Sequence, residues 1–306
     1  MAGFKLVTYQ TESGPRAGIV LGETVFNAAE LTGRPAYATM LAVLEDWPRA
    51  NDLIRTATRG TPKAKGWKLS ETHLRAPVLW PSAIYCAGAN YSDHAAEMVA
   101  RMNRPLDPNP KEKGGRSWHF LKSPRAIADP GEVIEAVWYT KKLDWEVELA
   151  AVIGRETKKA TVATALDYVA GYTVANDVSA RDLARRSEAA EGSPFSFDWT
   201  GQKCFDGACP LGPWIVPADD IADPQNLALK LWVNDVLKQD SNTNKMIFSL
   251  AEQIAHLSHG MTLYPGDIIL TGTPAGVGAG RGEFLKAGDV VKLEIERIGT
   301  LSNSIA

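Results

Sequence analysis

The sequence predicts a β-rich α+β fold, on the basis of three observations. From about Pro77 to the C-terminus, short runs of β-branched and aromatic residues recur between turn residues, among them EVELAAVIG, YVAGYTVANDV and GDIILTG. Helical periodicity is confined to a few connecting segments. Strands therefore do not alternate regularly with helices, which argues against a doubly wound parallel sheet.

The first 75 residues form the first predicted unit. Two strand-like runs, FKLVTY (4–9) and RAGIVLG (16–22), precede one helix candidate around Ala36–Thr58 and the polar stretch RGTPKAKG. This order predicts a small N-terminal domain over residues 1–75. The main domain is then expected over residues 76–306.

Two helices and one long loop are predicted in the main domain. A helix over Ser92–Arg101 follows the NYSDH turn, and a second over Ser249–His259 has apolar residues spaced for one buried face. Residues 102–118 contain three prolines, two glycines and mostly polar side chains. They predict a mobile loop, which is either a lid or a plain surface excursion.

Composition and charge exclude several classes of protein. The chain has 306 residues, of which 45% are hydrophobic and 23% charged, as expected of a globular protein. The formal net charge is −3 and the basic residues are scattered, so nucleic acid is not an expected partner. The N-terminus lacks the pattern of an export signal, and no run of about 18 apolar residues occurs. A cytoplasmic protein with no membrane partner is expected.

The cysteines and most of the histidines are expected to be structural. The three cysteines, Cys86, Cys204 and Cys209, show no C-x-x-C spacing, which fits reduced thiols and no disulfide. A structural or surface role is also expected for four of the five histidines, namely His73, His119, His256 and His259.

Glu146 and Glu148 are the first candidate metal ligands. They lie two residues apart in the strand-like run LDWEVELAAVIG, so the strand period of two directs both carboxylates to one face. Two like charges on one face either are solvated or repel each other until a cation binds between them. The spacing alone leaves a solvated strand face as the commoner reading.

Asp177 is the third candidate ligand. It follows the apolar run GYTVAN, so its carboxylate is expected to project from the end of a strand, although a turn or helix cap is an alternative role. Three carboxylates without cysteine or histidine make a hard oxygen site, which suits Mg2+ or Mn2+ better than zinc.

His94 and Glu97 form a candidate catalytic pair. They are three residues apart in SDHAAEM, which brings them to one face if Ser92 or Asp93 caps a helix. A carboxylate in contact with imidazole can raise its basicity enough for it to deprotonate a water. A surface salt bridge is the alternative for such a pair.

Six segments together resemble the fumarylacetoacetate hydrolase family: GANYSDHAAEM, DWEVELAAVIG, NDVSARD, GQKCFDGACPLGPWIV, SNTNKMIFS and GDIILTGTPAGVG. They occur in the family's order and spacing from about residue 80 to the C-terminus. The resemblance implies rolled mixed β-sheets, a homodimer, and Mg2+, Mn2+ or sometimes Ca2+ bound at the positions of Glu146, Glu148 and Asp177. It also implies that His94 and Glu97 activate water.

The resemblance extends to further site residues. Lys203 matches a family lysine that faces the substrate, where it could stabilise a developing enolate. Thr273, in the GTP turn, matches a substrate-binding threonine, and Lys122 and Ser123 match a segment lining the cavity. Arg101 could meet a distal carboxylate of the substrate. The chain departs from many relatives just after NDVSARDL, where it has alanine at position 184 in place of glutamine.

These residues predict chemistry on a small 2-oxo acid. The leading hypothesis is hydrolysis of the bond between C3 and C4 of a 2,4-dioxo acid, an acylpyruvate, through an enolate. The alternatives are decarboxylation of oxaloacetate-like acids and isomerisation or hydration of unsaturated 2-oxo acids from aromatic catabolism. A metal-stabilised binding protein and a structural protein with solvated carboxylates are the non-enzymatic alternatives.

Overall fold

The computed structural model describes residues 3–102, 110–135, 138, 140–190 and 192–306, apart from the side chains of Arg101 and Met102. The strands of this part of the chain are β1 Lys5–Thr11, β2 Gly14–Leu21, β3 Thr24–Asn27, β4 Gly66–Lys68, β5 Leu74–Arg75, β6 Ile84–Ala87, β7 His119–Lys122, β8 Ile127–Ala128, β9 Val133–Ile134, β10 Leu143–Asp144, β11 Val147–Ile153, β12 Val169–Asn176, β13 Ser179–Ala180, β14 Cys209–Pro217, β15 Ala228–Val233, β16 Val236–Asn242, β17 Ile268–Leu270, β18 Val290–Ile295 and β19 Gly299–Ile305.

The α-helices are short and fewer than the strands. They are α1 Ala28–Thr32, α2 Met40–Glu45, α3 Trp47–Ala57, α4 Ser92–Met102, α5 Trp199–Lys203, α6 Leu250–Gly260 and α7 Gly278–Arg281. Among the described residues, no helix is long and apolar enough to cross a bilayer.

The strands form mixed sheets, as the β-rich prediction requires. In the described residues, the largest sheet has twelve strands, and its main path runs β4-β3-β2-β1-β14-β12-β11-β17-β6-β7. Most neighbours are antiparallel, but β6 and β17 are parallel. A five-stranded sheet, β16-β15-β18-β19-β9, packs beside it. The α+β, β-rich fold class is therefore confirmed.

Strand β11 is central, because it is paired with β12 on one side and β17 on the other and is buried on both faces. Its residues alternate between two apolar clusters. Leu149 packs in the cluster that includes the five-stranded sheet, whereas Ala150 and Val152 pack in the cluster that includes β1, β2 and α3. Glu148 lies two residues before Ala150, so its side chain points to the same side of the sheet as Ala150 and Val152.

The N-terminal strands continue the large sheet. Strand β1 pairs antiparallel with β14 through Leu6 and Ile215, so strands from both predicted domains share one sheet. Helix α3 and strand β11 also share one apolar cluster. The boundary near residue 75 stays a prediction.

The prediction of one continuous helix around Ala36–Thr58 is wrong. The chain forms a short 3-10 helix over Pro35–Ala38, then α2 and α3, which meet at Asp46. Pro48 explains the break, because it has no N–H and its ring would collide with the carbonyl of Leu44 in a continuous helix. Proline is tolerated in the first turn of a new helix, which is its place in α3.

The other two predicted helices are observed. Helix α4 covers Ser92–Met102, and α6 covers Leu250–Gly260 with Ser249 as its N-cap, completed by the side chain of Glu252. The loop predicted over 102–118 falls partly on residues 103–109, which lie outside the described residues. The remainder begins with a 3-10 helix over Pro110–Lys113.

Candidate metal centre and active site

The carboxylates of Glu146, Glu148 and Asp177 converge on one point. Glu146 immediately precedes β11, Glu148 lies within it, and Asp177 immediately follows the antiparallel neighbour β12. The backbone N–H of Asp177 donates to the carbonyl of Glu146 at 3.0 Å, which fixes this register. One oxygen from each carboxylate lies within 4.8 Å of the others.

The burial of these carboxylates rules out a solvated strand face. Glu146 is 5% exposed, and Glu148 and Asp177 are 1% exposed each. Burying an isolated carboxylate is costly, so such groups are paired, protonated or bound to a cation. The cluster therefore resembles a divalent-metal site.

The two glutamates differ in their electrostatic surroundings. Burial raises the pKa of Glu148 well above its usual range, and repulsion from Asp177 and Glu146 raises it further. Burial also raises the pKa of Glu146, but the charges of Arg181 and Lys203 outweigh this effect and lower it to about 2. Glu148 is thus the carboxylate whose charge is least compensated by the protein.

Three basic side chains surround the cluster. Nζ of Lys203 donates to Oε2 of Glu146 at 2.9 Å and to Oδ2 of Asp177 at 2.6 Å. Nζ of Lys122, which is also buried, donates to Asp177 and to the carbonyl of Val178. These contacts hold the ligand oxygens in place and partly neutralise them.

Arg181 is the third basic residue, and it bridges Glu146 to Asp144. Its Nε donates to Oδ2 of Asp144 at 2.8 Å, and its guanidinium also donates to Glu146. Asp144 in turn accepts backbone N–H groups from Gly278 at 2.6 Å and Ala279 at 3.0 Å. The segment that contains Gly278 and Ala279 is thereby tied to Asp144, just before β11.

A divalent cation fits this donor set. The three ligand candidates offer only carboxylate oxygens, the donors that Mg2+, Mn2+ and Ca2+ prefer. Glu148 receives one hydrogen bond, from the N–H of Gly272 to Oε2 at 2.7 Å, and has no direct ion pair with a basic residue in the described part of the chain. A cation would relieve the repulsion that raises its pKa.

His94 and Glu97 are in contact at the start of helix α4. Nδ1 of His94 lies 2.9 Å from Oε2 of Glu97, and Oε1 of Glu97 accepts the N–H of Gly276 at 3.0 Å. Because a carboxylate only accepts, the contact places a proton on Nδ1 of His94 and leaves Nε2 of the neutral ring with its lone pair. Burial raises the pKa of Glu97, but these hydrogen bonds outweigh it and hold the pKa below its usual range.

One cavity of about 290 Å³ is lined both by the carboxylate cluster and by His94. Glu146, Glu148 and Asp177 line it together with His94, Lys203 and Thr273 from the predicted set. The remaining described lining residues are Ala87, Gly88, Ala89, Met98, Trp118, Phe120, Arg181, Phe197, Trp199 and Gln202.

The other predicted substrate contacts are placed differently. Lys122 is fully buried behind Asp177 and does not line the cavity. Ser123 caps a 3-10 helix over Pro124–Ala126, where its hydroxyl accepts the N–H of Arg125. The backbone of Arg101 lies in α4, but its side chain lies outside the described part of the structure.

The hydroxyl of Thr273 forms hydrogen bonds within the protein. It donates to the carbonyl of Val147 at 3.0 Å and accepts from Nε2 of Gln239 at 2.9 Å. Gln239 also accepts the N–H of Val147 at 3.0 Å, so it joins β11 to the Thr273 turn. Sequence patterns did not single out Gln239, because nothing local marks a glutamine that is 1% exposed.

Two further groups were not predicted from the sequence. Asp144 and Arg181 lie in the quoted motifs DWEVELAAVIG and NDVSARD, but only their contact assigns them a role beside Glu146. Lys203 lies in the last turn of helix α5. Burial of that turn directs Lys203 towards the carboxylates.

Comparison with known proteins identifies similar sequences and structures. Residues 83–306 match the family described as fumarylacetoacetate (FAA) hydrolase, C-terminal. Mitochondrial oxaloacetate tautomerase FAHD2B of Homo sapiens is 40% identical over 269 residues, which cover 87% of this chain and 79% of that protein. Oxaloacetate tautomerase YisK of Bacillus subtilis is 40% identical over 243 residues, which cover 78% of this chain and 75% of that protein.

One similar solved structure contains a metal ion. Maleylpyruvate hydrolase from Sphingobium sp. SYK-6, in complex with manganese(II) ion and pyruvate, is 29% identical with a TM-score of 0.75, over 99% of this chain and 98% of that chain. The resemblance in fold therefore includes the N-terminal strands. The human relative is named as mitochondrial, so a cytoplasmic location for this chain stays a prediction.

Proposed function

The chain belongs to the fumarylacetoacetate hydrolase family, and on this premise we propose that it is a divalent-metal-dependent enzyme that interconverts the keto and enol forms of a small 2-oxo acid such as oxaloacetate. The observation that carries the proposal is the buried cluster of Glu146, Glu148 and Asp177, which opens on the same cavity as His94. Relatives at 40% identity named as oxaloacetate tautomerases favour this reaction over hydrolysis.

Glu146, Glu148 and Asp177 would hold Mg2+ or Mn2+. When bound, such an ion supplies an electrophile that stabilises negative charge on the oxygen of a 2-oxo acid. Lys203 and Arg181 keep Glu146 ionised, because their charges hold its pKa low. The Glu146 carboxylate is thus ionised before substrate enters.

His94 is the proposed proton carrier. In ketonisation, a proton leaves the enol oxygen on C2 and another is added at C3, so that C2=C3 becomes C2=O and a C3–H bond forms. Nε2 of His94 is the ring nitrogen that keeps its lone pair in the neutral ring, since Nδ1 donates to Glu97. Glu97 fixes this orientation, and Gly276 in turn fixes Glu97.

Lys203 is proposed to contribute charge rather than to act as a base. The charges of Asp177 and Glu146 outweigh burial and raise its pKa above the usual value, so its ammonium group stays protonated. A fixed positive charge beside the cavity favours an enolate over the neutral keto form.

Hydrolysis of a carbon–carbon bond is the second candidate function. The His94–Glu97 contact is the arrangement needed to deprotonate a water, and a relative of similar fold is named as maleylpyruvate hydrolase. In an acylpyruvate, attack by this water on the C4 carbonyl would release an enolate and a carboxylic acid. Decarboxylation of oxaloacetate needs the same enolate but no activated water.

The decisive experiment compares three reactions in one preparation. Purified protein, loaded with Mg2+ or Mn2+ or treated with a chelator, is given enol-oxaloacetate, and decay of the enol absorbance is followed against the spontaneous rate. Acetylpyruvate cleavage and release of CO2 from oxaloacetate are measured alongside.

The proposal expects metal-dependent loss of the enol signal that exceeds cleavage and decarboxylation. His94→Ala should retain metal binding in calorimetry while it slows the proton transfer by about 100-fold or more. Metal-dependent acetylpyruvate cleavage without any effect on the enol signal would instead establish the hydrolase. A protein that changes none of these substrates would be a binding protein.

A further inference from the structure

Four aromatic rings form one continuous wall of the cavity. The rings of Phe120 and Trp199 are stacked, with centroids 4.8 Å apart and planes inclined by 12°. Trp118 lies 5.2 Å from Trp199, and Phe197 meets Trp199 edge-on at 4.7 Å. All four rings line the cavity that contains the carboxylate cluster. We call these four residues the aromatic wall.

The backbone is shaped to accept this wall. The indole of Trp118 lies directly over Gly88, where an added Cβ would come within 1.7 Å of the ring. The N–H of Gly88 also donates to the carbonyl of Trp118 at 3.0 Å. Any side chain at position 88 would therefore displace the indole from its place.

The wall retains free surface and joins the reaction site. Trp118 is 50% exposed and Phe197 is 40% exposed, so both rings keep area that a bound molecule could cover. At the inner end of the wall, Nζ of Lys203 lies 5.1 Å from the ring centroid of Phe120. Because Lys203 contacts Glu146 and Asp177, the aromatic surface is continuous with the metal ligands.

The arginine and lysine side chains in the described lining of the cavity are paired at its inner end. Among the described lining residues, the arginine and lysine side chains are those of Arg181 and Lys203, and both are ion-paired with the buried carboxylates. Arg186, further along the chain, is paired with Asp198. Within the described part of the chain, the surface beyond the carboxylates thus offers stacking area more readily than positive charge.

We propose that the substrate of this site is a 2-oxo acid with an aryl substituent that stacks on Trp118 and Phe197. This inference rests on the proposed function, in which the 2-oxo acid end of the substrate lies at Glu146, Glu148 and Asp177. Aromatic faces favour offset or edge contacts with other planar groups, and such contacts add to the free energy of area burial. A small dicarboxylic acid such as oxaloacetate would leave the wall uncovered.

The test compares phenylpyruvate with oxaloacetate in wild type and in two variants, Trp118→Ala and Phe197→Ala. The enol forms of both acids are supplied to metal-loaded protein, and KM and kcat are measured. Calorimetry of phenylpyruvate against pyruvate gives a readout that does not depend on turnover. Trp80→Ala is the matched control, because Trp80 is 67% exposed and does not line the cavity.

Wild type should bind phenylpyruvate more tightly than pyruvate, and Trp118→Ala should weaken that binding by about tenfold or more. The KM for oxaloacetate should rise less than the KM for phenylpyruvate in the same variant. Trp118→Phe should keep most of the preference, since it keeps a ring at this position. Trp80→Ala should change neither the binding nor the KM of either substrate.

Equal binding of phenylpyruvate and pyruvate in wild type would overturn the inference, as would equal losses for phenylpyruvate and oxaloacetate in Trp118→Ala. A loss confined to oxaloacetate in Arg101→Ala, with no effect of the aromatic variants, would also overturn it, because the distal group would then be read as a carboxylate. A preference for phenylpyruvate in calorimetry without any turnover would support the inference about binding and refute the proposed reaction.

Discussion

Nζ of Lys203 lies 2.6 Å from Oδ2 of Asp177, and both groups are almost completely buried. The lysine therefore occupies the position of a counter-ion to carboxylates that are also candidate metal ligands. Lys203 and a bound cation would share the task of neutralising the same cluster. The stability of the protein should consequently depend on both.

Lys203→Met should make folding depend strongly on metal. Without Lys203, Glu146 and Asp177 lose a buried partner, and breaking such a pair costs about 3–5 kcal/mol in the free energy of unfolding. Added Mg2+ should recover much of that loss, because it supplies replacement charge. Thermal unfolding in chelator and in Mg2+ measures the difference. Lys230→Met is the control, since Lys230 is exposed and only loosely paired with Asp240. A loss of stability in Lys203→Met that added Mg2+ does not reduce would contradict the prediction.

Glu148→Gln should abolish metal binding without destabilising the metal-free protein. Burial and two neighbouring carboxylates hold the pKa of Glu148 well above its usual range, so a neutral amide relieves repulsion. The unfolding temperature in chelator should stay equal or rise, whereas the rise on adding Mn2+ should disappear along with turnover. Calorimetric titration with Mn2+ provides the second measurement. Wild-type affinity in this variant would exclude Glu148 as a ligand.

Thr273→Val should affect stability more than substrate affinity. The hydroxyl donates to the carbonyl of Val147 and accepts from Gln239, so its loss leaves buried polar groups unpaired at a cost of about 1–3 kcal/mol. Thr273→Ser keeps the hydroxyl and should restore most of the stability. Urea unfolding and KM are measured in both variants. A large rise in KM with unchanged stability would show that the hydroxyl serves the substrate instead.

Stability should fall as the pH is lowered from about 6.5 towards 4, in part because of His119. Burial lowers the pKa of His119 to about 4, and His256 stacks beside it at 6.3 Å. The ring is thus neutral in the folded protein but takes up a proton in the unfolded chain below about pH 6.5, so unfolding gains protons in this window. The stability present above pH 6.5 is lost as pH falls towards 4.

The His119→Phe variant isolates this contribution. Urea midpoints at pH 7 and pH 5 should differ less in the variant than in wild type, by up to about 2 kcal/mol in the free energy of unfolding. His73→Phe serves as the control for a histidine outside this pair. An identical pH dependence in wild type and His119→Phe would remove His119 from the explanation.

Much of the candidate site follows from local spacing. Glu146 and Glu148 share a face because side chains alternate along a strand, and their burial became clear only when β11 was found between two other strands. His94 and Glu97 meet because residues three apart on a helix lie on one face. Asp177 was a candidate because it follows an apolar run, and family resemblance added Lys203; no local period connects either residue to the glutamates.

Long-range contacts were beyond such reasoning. Gln239 and Val147 are far apart in sequence, and their hydrogen bond exists because β16 and the Thr273 turn approach β11 in space. Pro48 is a different case, because the break that it causes in the segment predicted as one helix is a local effect. The periodicity of apolar residues indicates which face of a helix or strand is buried. It does not identify the residue that forms a hydrogen bond with a buried polar group.

The sequence by itself determined the fold class, the family and the set of acidic and imidazole groups, because strand and helix periods and ordered motifs are properties of short segments. Tertiary structure decided which charges compensate those groups, that the hydroxyl of Thr273 is internally bonded, and that an aromatic wall faces the cavity. Trp118 and Trp199 lie 81 positions apart, yet their rings are 5.2 Å apart. Free energies of burial and pairing depend on such neighbours in space, and only the folded chain brings them together.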